Sequence, residues 1–258
     1  MLLTARAALG LTVGPTVGRF AATRTSSAAM SAGASKIPTA VEAPISLSSV
    51  LIEPKSDQPE SWSGDLLVVS FWEAEEKDAD LTLTAAQSAI DAAYDGALAD
   101  LIEFHEFKGK AGSSAVIALP KSMPARRLAV VGLGKADGFK AAGAAKLGAA
   151  LATMAKDQKV KTMAAVMPEA SEALQVAAVE SLLLGLSPDT RYKSKKDADE
   201  NKPPPLVSLD LLGGGASASA IERARKMASG ILLTRGLVGS PANYLTPTTM
   251  AATAQAIA

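Results

Sequence analysis

Cysteine is absent from all 258 residues, and histidine occurs once, at His105. The first absence excludes disulfides and thiolate metal sites; the second excludes any zinc site built on two or more imidazoles from this chain. An excess charge of either sign is also missing, since 26 basic residues offset 26 acidic ones. A balanced chain offers no overall electrostatic case for nucleic-acid binding. No apolar run approaches the roughly 20 residues that a membrane-spanning helix needs. What is present, 48% hydrophobic against 20% charged residues, is the composition of a globular protein rather than a disordered one. The length allows one large domain or two small ones.

One absence is local. Residues 1–41 hold Arg6, Arg19, Arg24 and Lys36 but no acid, and Glu42 is the first carboxylate. A basic, acid-free start rich in Ala, Ser and Thr is the composition of an organelle transit peptide; a tail with no address is the alternative. Without it, 22 basic residues face 26 acidic ones, so the mature protein is expected to be mildly acidic. The stretch from Leu9 to Val17 is short and interrupted by Gly and Pro, and a secretory core stays open as a third reading.

The rest of the chain alternates strand and helix patterns. Strands are expected over Ile45–Ile52, Leu66–Phe71, Ser114–Leu119, Arg127–Gly132, Val160–Met167 and Leu206–Leu212. The continuous apolar runs among them, Leu66–Phe71, Ser114–Leu119 and Arg127–Gly132, read as strands buried on both faces. Helices are expected over Thr84–Ile102, Lys140–Lys156, Glu169–Leu186, which reads as amphipathic, and Ala218–Leu237. In the first, Ile90, Tyr94, Leu98 and Leu101 recur at spacings of three and four. In the last, the stripe is Ile221, Ala224, Ala228, Ile231 and Leu232. Arg191 to Pro205 is charged and then Pro-rich, an exposed loop. The alternation predicts an α/β unit with helices on both faces of its sheet.

Several motifs point to chemistry and fall short of it. Gly132-Leu133-Gly134-Lys135-Ala136-Asp137-Gly138 has the strand–turn–helix context of a phosphate loop. A dinucleotide fingerprint, however, wants glycine where Asp137 stands, and a P-loop wants Ser or Thr where Ala136 stands. A tight turn is the expected reading. Glu73, Glu75, Glu76, Asp78 and Asp80 lack a glycine to shape a cation loop, so they read as a solvated helix start. His105 is expected in a short strand, with no nucleophile beside it. Lys108, Lys110, Lys193, Lys195 and Lys196 have no interleaved aromatics to stack bases.

The most informative segment lies near the end. Gly239-Ser240-Pro241-Ala242-Asn243-Tyr244-Leu245-Thr246-Pro247 is a rigid, non-helical break, because each proline fixes φ and restricts its predecessor. Thr246 is placed to cap a new helix with Pro247 at its first position. Together with the preceding Arg235 to Val238, this segment resembles the junction before the catalytic domain of the leucyl aminopeptidases of the cytosol-aminopeptidase family. Glu106-Phe107-Lys108-Gly109-Lys110-Ala111-Gly112 and Asp189-Thr190-Arg191-Tyr192-Lys193-Ser194-Lys195-Lys196 resemble two further stretches of its plant-type branch. The similarity runs from about Ile45 to Ala258 in unbroken order.

The resemblance implies a division into a transit peptide over 1–41, an N-terminal macro-like domain over 45–213, a linker helix over 218–238 and the start of a catalytic domain over 239–258. It implies a homo-hexameric, metal-dependent peptidase removing N-terminal residues from peptides, with two divalent ions (Mn, Zn or Mg) held in the catalytic domain. No position in this sequence matches a family metal ligand or catalytic residue. The expected catalytic, cofactor-binding and metal residues of this chain are therefore none, with neither nucleic acid nor membrane as partner. The plant-type likeness favours the chloroplast, with mitochondrion and cytoplasm as alternatives. Two other functions stay open: a non-catalytic assembly or scaffold subunit, and a nucleotide- or ADP-ribose-binding module using Gly132–Gly138 or Gly213–Gly215.

Overall fold

The computed structural model describes residues 45–74, 81–194, 206–213 and 217–257. The expected transit peptide, the acids Glu75, Glu76, Asp78 and Asp80, the lysines Lys195 and Lys196, and Gly214 and Gly215 lie outside them. Among the described residues six strands form one sheet: β1 (Leu51–Lys55), β2 (Leu66–Trp72), β3 (Ser114–Ala118), β4 (Arg127–Gly134), β5 (Thr162–Val166) and β6 (Ser208–Leu212). Their order is β1-β6-β5-β2-β4-β3. Five strands run parallel, and β3 alone runs antiparallel, along β4.

Both faces of the sheet are covered, which is why β2 and β4 read as unbroken apolar runs. Successive side chains of a strand point to opposite faces. Leu66 and Val68 of β2 accordingly pack with α3 (Ala141–Asp157), α4 (Glu172–Gly185) and α5 (Ala218–Val238). Leu67, Val69 and Phe71 pack on the other side with α1 (Ala85–Ala93) and α2 (Ala97–Phe104). The sheet is thus the middle layer of a mixed α/β fold. On its α3 side the helices lie so close that a Cβ on Gly148 would stand 1.9 Å from the Ala178 carbonyl oxygen.

Five expectations need correction. The first strand begins at Leu51 rather than Ile45 and continues through Pro54. Proline is tolerated there because β1 is an edge strand, paired on one side only with β6. Ser114–Ala118 is a strand but is only half buried, since it forms the opposite edge. The helix expected over Thr84–Ile102 is two helices, broken where Asp95 and Gly96 take positive φ of 52° and 81°. Asp91 restarts the second helix by accepting from the N–H groups of Leu98 (3.0 Å) and Ala99 (2.9 Å). Ile90, Tyr94, Leu98 and Leu101 are all buried even so, because the break preserves their common face.

His105 is the fourth correction: it ends α2 instead of lying in a strand, and it is exposed. The fifth is α4, which has no single apolar stripe. It lies between α3 and α5 and buries residues towards both. α5 follows its expected pattern, with Ser217 accepting from the N–H of Ala220 as its cap. Ala220, Ile221, Ala224 and Ala228 in its first half join the core. The last helix, α6 (Pro247–Ile257), starts at the expected proline, and Thr246 Oγ1 accepts from the Thr249 N–H at 3.3 Å.

Candidate functional site

Three places in the fold bring polar groups or glycines together. The first lies on the carboxyl side of β1, β5 and β6. Open α/β sheets bind ligands outside these strand ends. A crevice of about 700 Å³ opens there, lined in part by Pro54, Lys55, Asp57, Pro59, Met167 and Leu211. Beside it, Asp210 of β6 is buried and accepts from Lys55 Nζ at 2.9 Å and from the Trp62 indole N–H at 2.8 Å. The hydrogen bond to Asp210 raises the Lys55 pKa above the ordinary lysine value. A carboxylate inside a sheet is costly unless it is paired, so this network holds the 55–62 segment against β6. Sequence reasoning missed it, although an acid within Leu209-Asp210-Leu211-Leu212 was a readable signal.

The second place is the glycine-rich turn after β4. Gly132 and Gly134 end that strand, a short 3₁₀ turn spans Ala136–Gly138, and α3 begins at Ala141. The amides of the three glycines of this turn are bonded within the fold, that of Gly138 to the Lys135 carbonyl at 3.2 Å. Gly132 N–H donates to the Ser113 carbonyl (2.8 Å) and Gly134 N–H to the Gly109 carbonyl (2.9 Å). The chain of residues 109–113 lies so close that a Cβ on Gly132 would stand 2.1 Å from the Lys110 carbonyl oxygen. The Glu106–Gly112 stretch therefore seals the end of β4. Gly109, Gly132 and Gly134 serve close packing, in line with the tight-turn expectation.

The third place joins the end of α5 to the loop after α4. Asp189 Oδ1 accepts from Arg191 Nε (2.9 Å) and its Oδ2 from Arg191 Nη2 (2.8 Å), a two-point grip. Arg191 Nη2 also donates to the Gly236 carbonyl at 3.0 Å. The guanidinium lies 5.0 Å from the centre of the Tyr192 ring. Tyr192 in turn sits 5.6 Å from the Tyr244 ring, and its hydroxyl is 3.1 Å from Ser240 Oγ. Its hydrogen bond to Arg191 holds the Asp189 carboxyl below the usual range, and the same contact pushes the Arg191 pKa up. Arg191 was expected in a plain exposed loop; it is instead half-buried and tied across 45 residues to the helix end.

His105 meets only Phe104 edge-on among ring contacts, at 5.1 Å. Among the described residues no group of three or more His, Cys, Asp or Glu could hold a metal ion. The described residues therefore do not fit the pair of divalent ions that the resemblance implies. No helix among the described residues is long and apolar enough to cross a membrane.

Residues 68–196, from β2 to the Asp189–Lys196 loop, match the model of the cytosol aminopeptidase family, N-terminal domain. The chain belongs to that family. The match contains the Glu106–Gly112 seal and both residues of the Asp189–Arg191 pair. Similar curated relatives include the "Probable cytosol aminopeptidase" of a Cyanothece species, 38% identical over 76% of this chain and 39% of its own length. The protein of the same name from Synechocystis is 39% identical over 73% of this chain and 37% of its own length. The chain thus spans about two fifths of the length of the cytosol aminopeptidases it matches. A leucine aminopeptidase mutant from tomato has the same fold, with a TM-score of 0.67 at 27% identity, covering 83% of this chain and 43% of that one.

Proposed function

We propose that this chain is the N-terminal part of a metal-dependent leucyl aminopeptidase that removes N-terminal residues from short peptides. The observation that carries the reading is the family match over residues 68–196, joined to curated relatives of which the chain spans 39%. The metal ions and the hydrolytic groups would belong to the portion of the longer protein outside this chain, since the described residues do not fit them. The part present here would supply a folded platform and the junction to the catalytic portion. It would also supply contacts between copies in a homo-hexamer. The acid-free leader over residues 1–41 is in keeping with delivery to a plastid.

Two measurements test this. The purified chain given leucine amide and Mn²⁺ is expected to show no turnover, and a rate equal to that of an intact family member would overturn the division of labour. A chimera supplies the positive arm: residues 45–246 replace the matching part of the Cyanothece relative. Leucine amide hydrolysis is expected to return, and a folded, metal-loaded but inactive chimera would refute the assignment. The rival reading as a diphosphate-binding module finds no free donor at Gly132, Gly134 or Gly138, whose amides are bonded within the fold.

A further inference from the structure

The last carbonyls of a helix have no donor within it and must find one elsewhere. At the end of α5 the Gly236 carbonyl is such an orphan. The Ser240 N–H, four residues on, donates to Leu237 at 3.2 Å instead. Two side chains fill the gap: Ser240 Oγ donates to Gly236 at 2.7 Å and Arg191 Nη2 at 3.0 Å. The first is local. The second comes from the first domain, and a cation at a helix carboxyl terminus is also favoured by the helix dipole.

The rest of the surroundings is arranged around that contact. Asp189 grips the guanidinium at two nitrogens and so fixes its plane. Tyr192 extends the contact beyond the helix, to Ser240 through its hydroxyl and to Tyr244 through its ring. The close fit reaches Gly236 and Gly239. Added Cβ atoms there would lie 3.4 Å from Arg191 Nη1 and 3.4 Å from Asp189 Oδ2. Meanwhile α5 is leaving the core: Leu232 is its last buried apolar side chain, and Val238 is 82% exposed. A helix that has left its packing surface does not by itself hold the chain's exit direction.

We propose that Asp189, Arg191 and Tyr192 form a clasp that fixes the direction in which the chain leaves α5, and so sets where the segment from Ser240 onward is held against the first domain. In this role Arg191 is a positioning residue. The consequence for activity rests on the reading that a catalytic portion follows in the intact protein; the clasp itself does not. It makes the Gly239–Leu245 break an oriented joint rather than a loose tether.

Hydrogen exchange on the whole 258-residue chain, read by mass spectrometry, tests the clasp. Arg191→Ala is expected to speed exchange of the amides of Gly239, Ser240, Tyr244 and Leu245 about tenfold, the effect of losing a charged hydrogen bond. Peptides from β2 and β4 should keep their protection. Unchanged exchange over 239–245 overturns the proposal. So does equal acceleration in β2 and β4, which would make Arg191 a general stabiliser. Should Arg191→Ala fail to fold, Arg191→Lys takes its place. Lysine keeps the charge but cannot grip Asp189 with two nitrogens while reaching Gly236. Faster exchange over 239–245 in Arg191→Lys, with β2 and β4 protected, supports the clasp, and wild-type rates there sink it. An inactive chimera with normal protection over 239–245 would sink the peptidase reading and leave the clasp standing.

Discussion

Gly148 and Gly230 both lie inside helices, and they are expected to respond to alanine with opposite signs. Alanine ordinarily stabilises a helix by roughly 0.5–1 kcal/mol over glycine. Gly230 of α5 has nothing within 4 Å of an added Cβ, so Gly230→Ala should gain that amount. At Gly148 the added atom would meet the Ala178 carbonyl oxygen at 1.9 Å. Separating α3 from α4 costs about 1–3 kcal/mol, so Gly148→Ala should lose on balance. Urea unfolding midpoints of the two variants decide this, and equal shifts would contradict it. Asp210 is a second residue-scale case. Asp210→Ala removes the partner of a buried indole N–H and of Lys55, at a cost of about 1.5–3 kcal/mol. A red shift in Trp62 emission should accompany that loss.

At the scale of elements, α1 depends on its start. Thr84 Oγ1 accepts from the Gln87 N–H, and Gln87 returns a bond to the Thr84 N–H, a reciprocal cap. Thr84→Ala is expected to cost about 1 kcal/mol and to raise amide exchange first in α1. Uniform acceleration across the sheet would contradict that. This cap could be read from Thr84-Ala85-Ala86-Gln87, and so could the stripe from Ile90 to Leu101. The break between them could not, because spacing reports which residues share a face and not whether the backbone is continuous. In the same way apolar runs located β2 and β4, whose two faces are both covered. They misjudged Ser114–Ala118, since being at an edge depends on which strands pair. Arg191 was hidden for a similar reason. Its partner Gly236 is remote in sequence and is recognised through its backbone, which leaves no pattern to read.

For the whole molecule, acid is the informative variable. Burial pushes the Asp65 carboxyl up, but bonds from the N–H groups of Lys161 and Thr162 and from the Thr162 hydroxyl outweigh it and hold the pKa below the usual value. Asp189 is held low by Arg191. A carboxyl whose folded pKa is depressed takes up protons more readily when unfolded. The stability it supplies is therefore present above its unfolded value, near pH 4, and is lost as pH falls through the lower folded one. Unfolding free energy should be nearly flat from pH 7 to about 5 and decline below about 4. Asp65→Asn and Asp189→Asn should each flatten that decline, and a slope identical to wild type in both would refute the assignment. Family membership was legible at this scale because two of the three quoted segments lie within residues 68–196. The crevice beyond β1, β5 and β6 was not, being assembled from strand ends distant in sequence.

The proline in β1 has an effect beyond shortening what a sequence reader would mark as strand. An uncovered sheet margin is an invitation for a neighbouring molecule to add its own strand. Here the margin offers no donor at Pro54 and carries Glu53 and Lys55 on either side of it. A docking strand would lose a bond in mid-ladder, next to the exposed charge of Glu53. Copies of this protein that associate should therefore do so elsewhere than along β1, and the sheet should gain no strand at that margin even in concentrated solution.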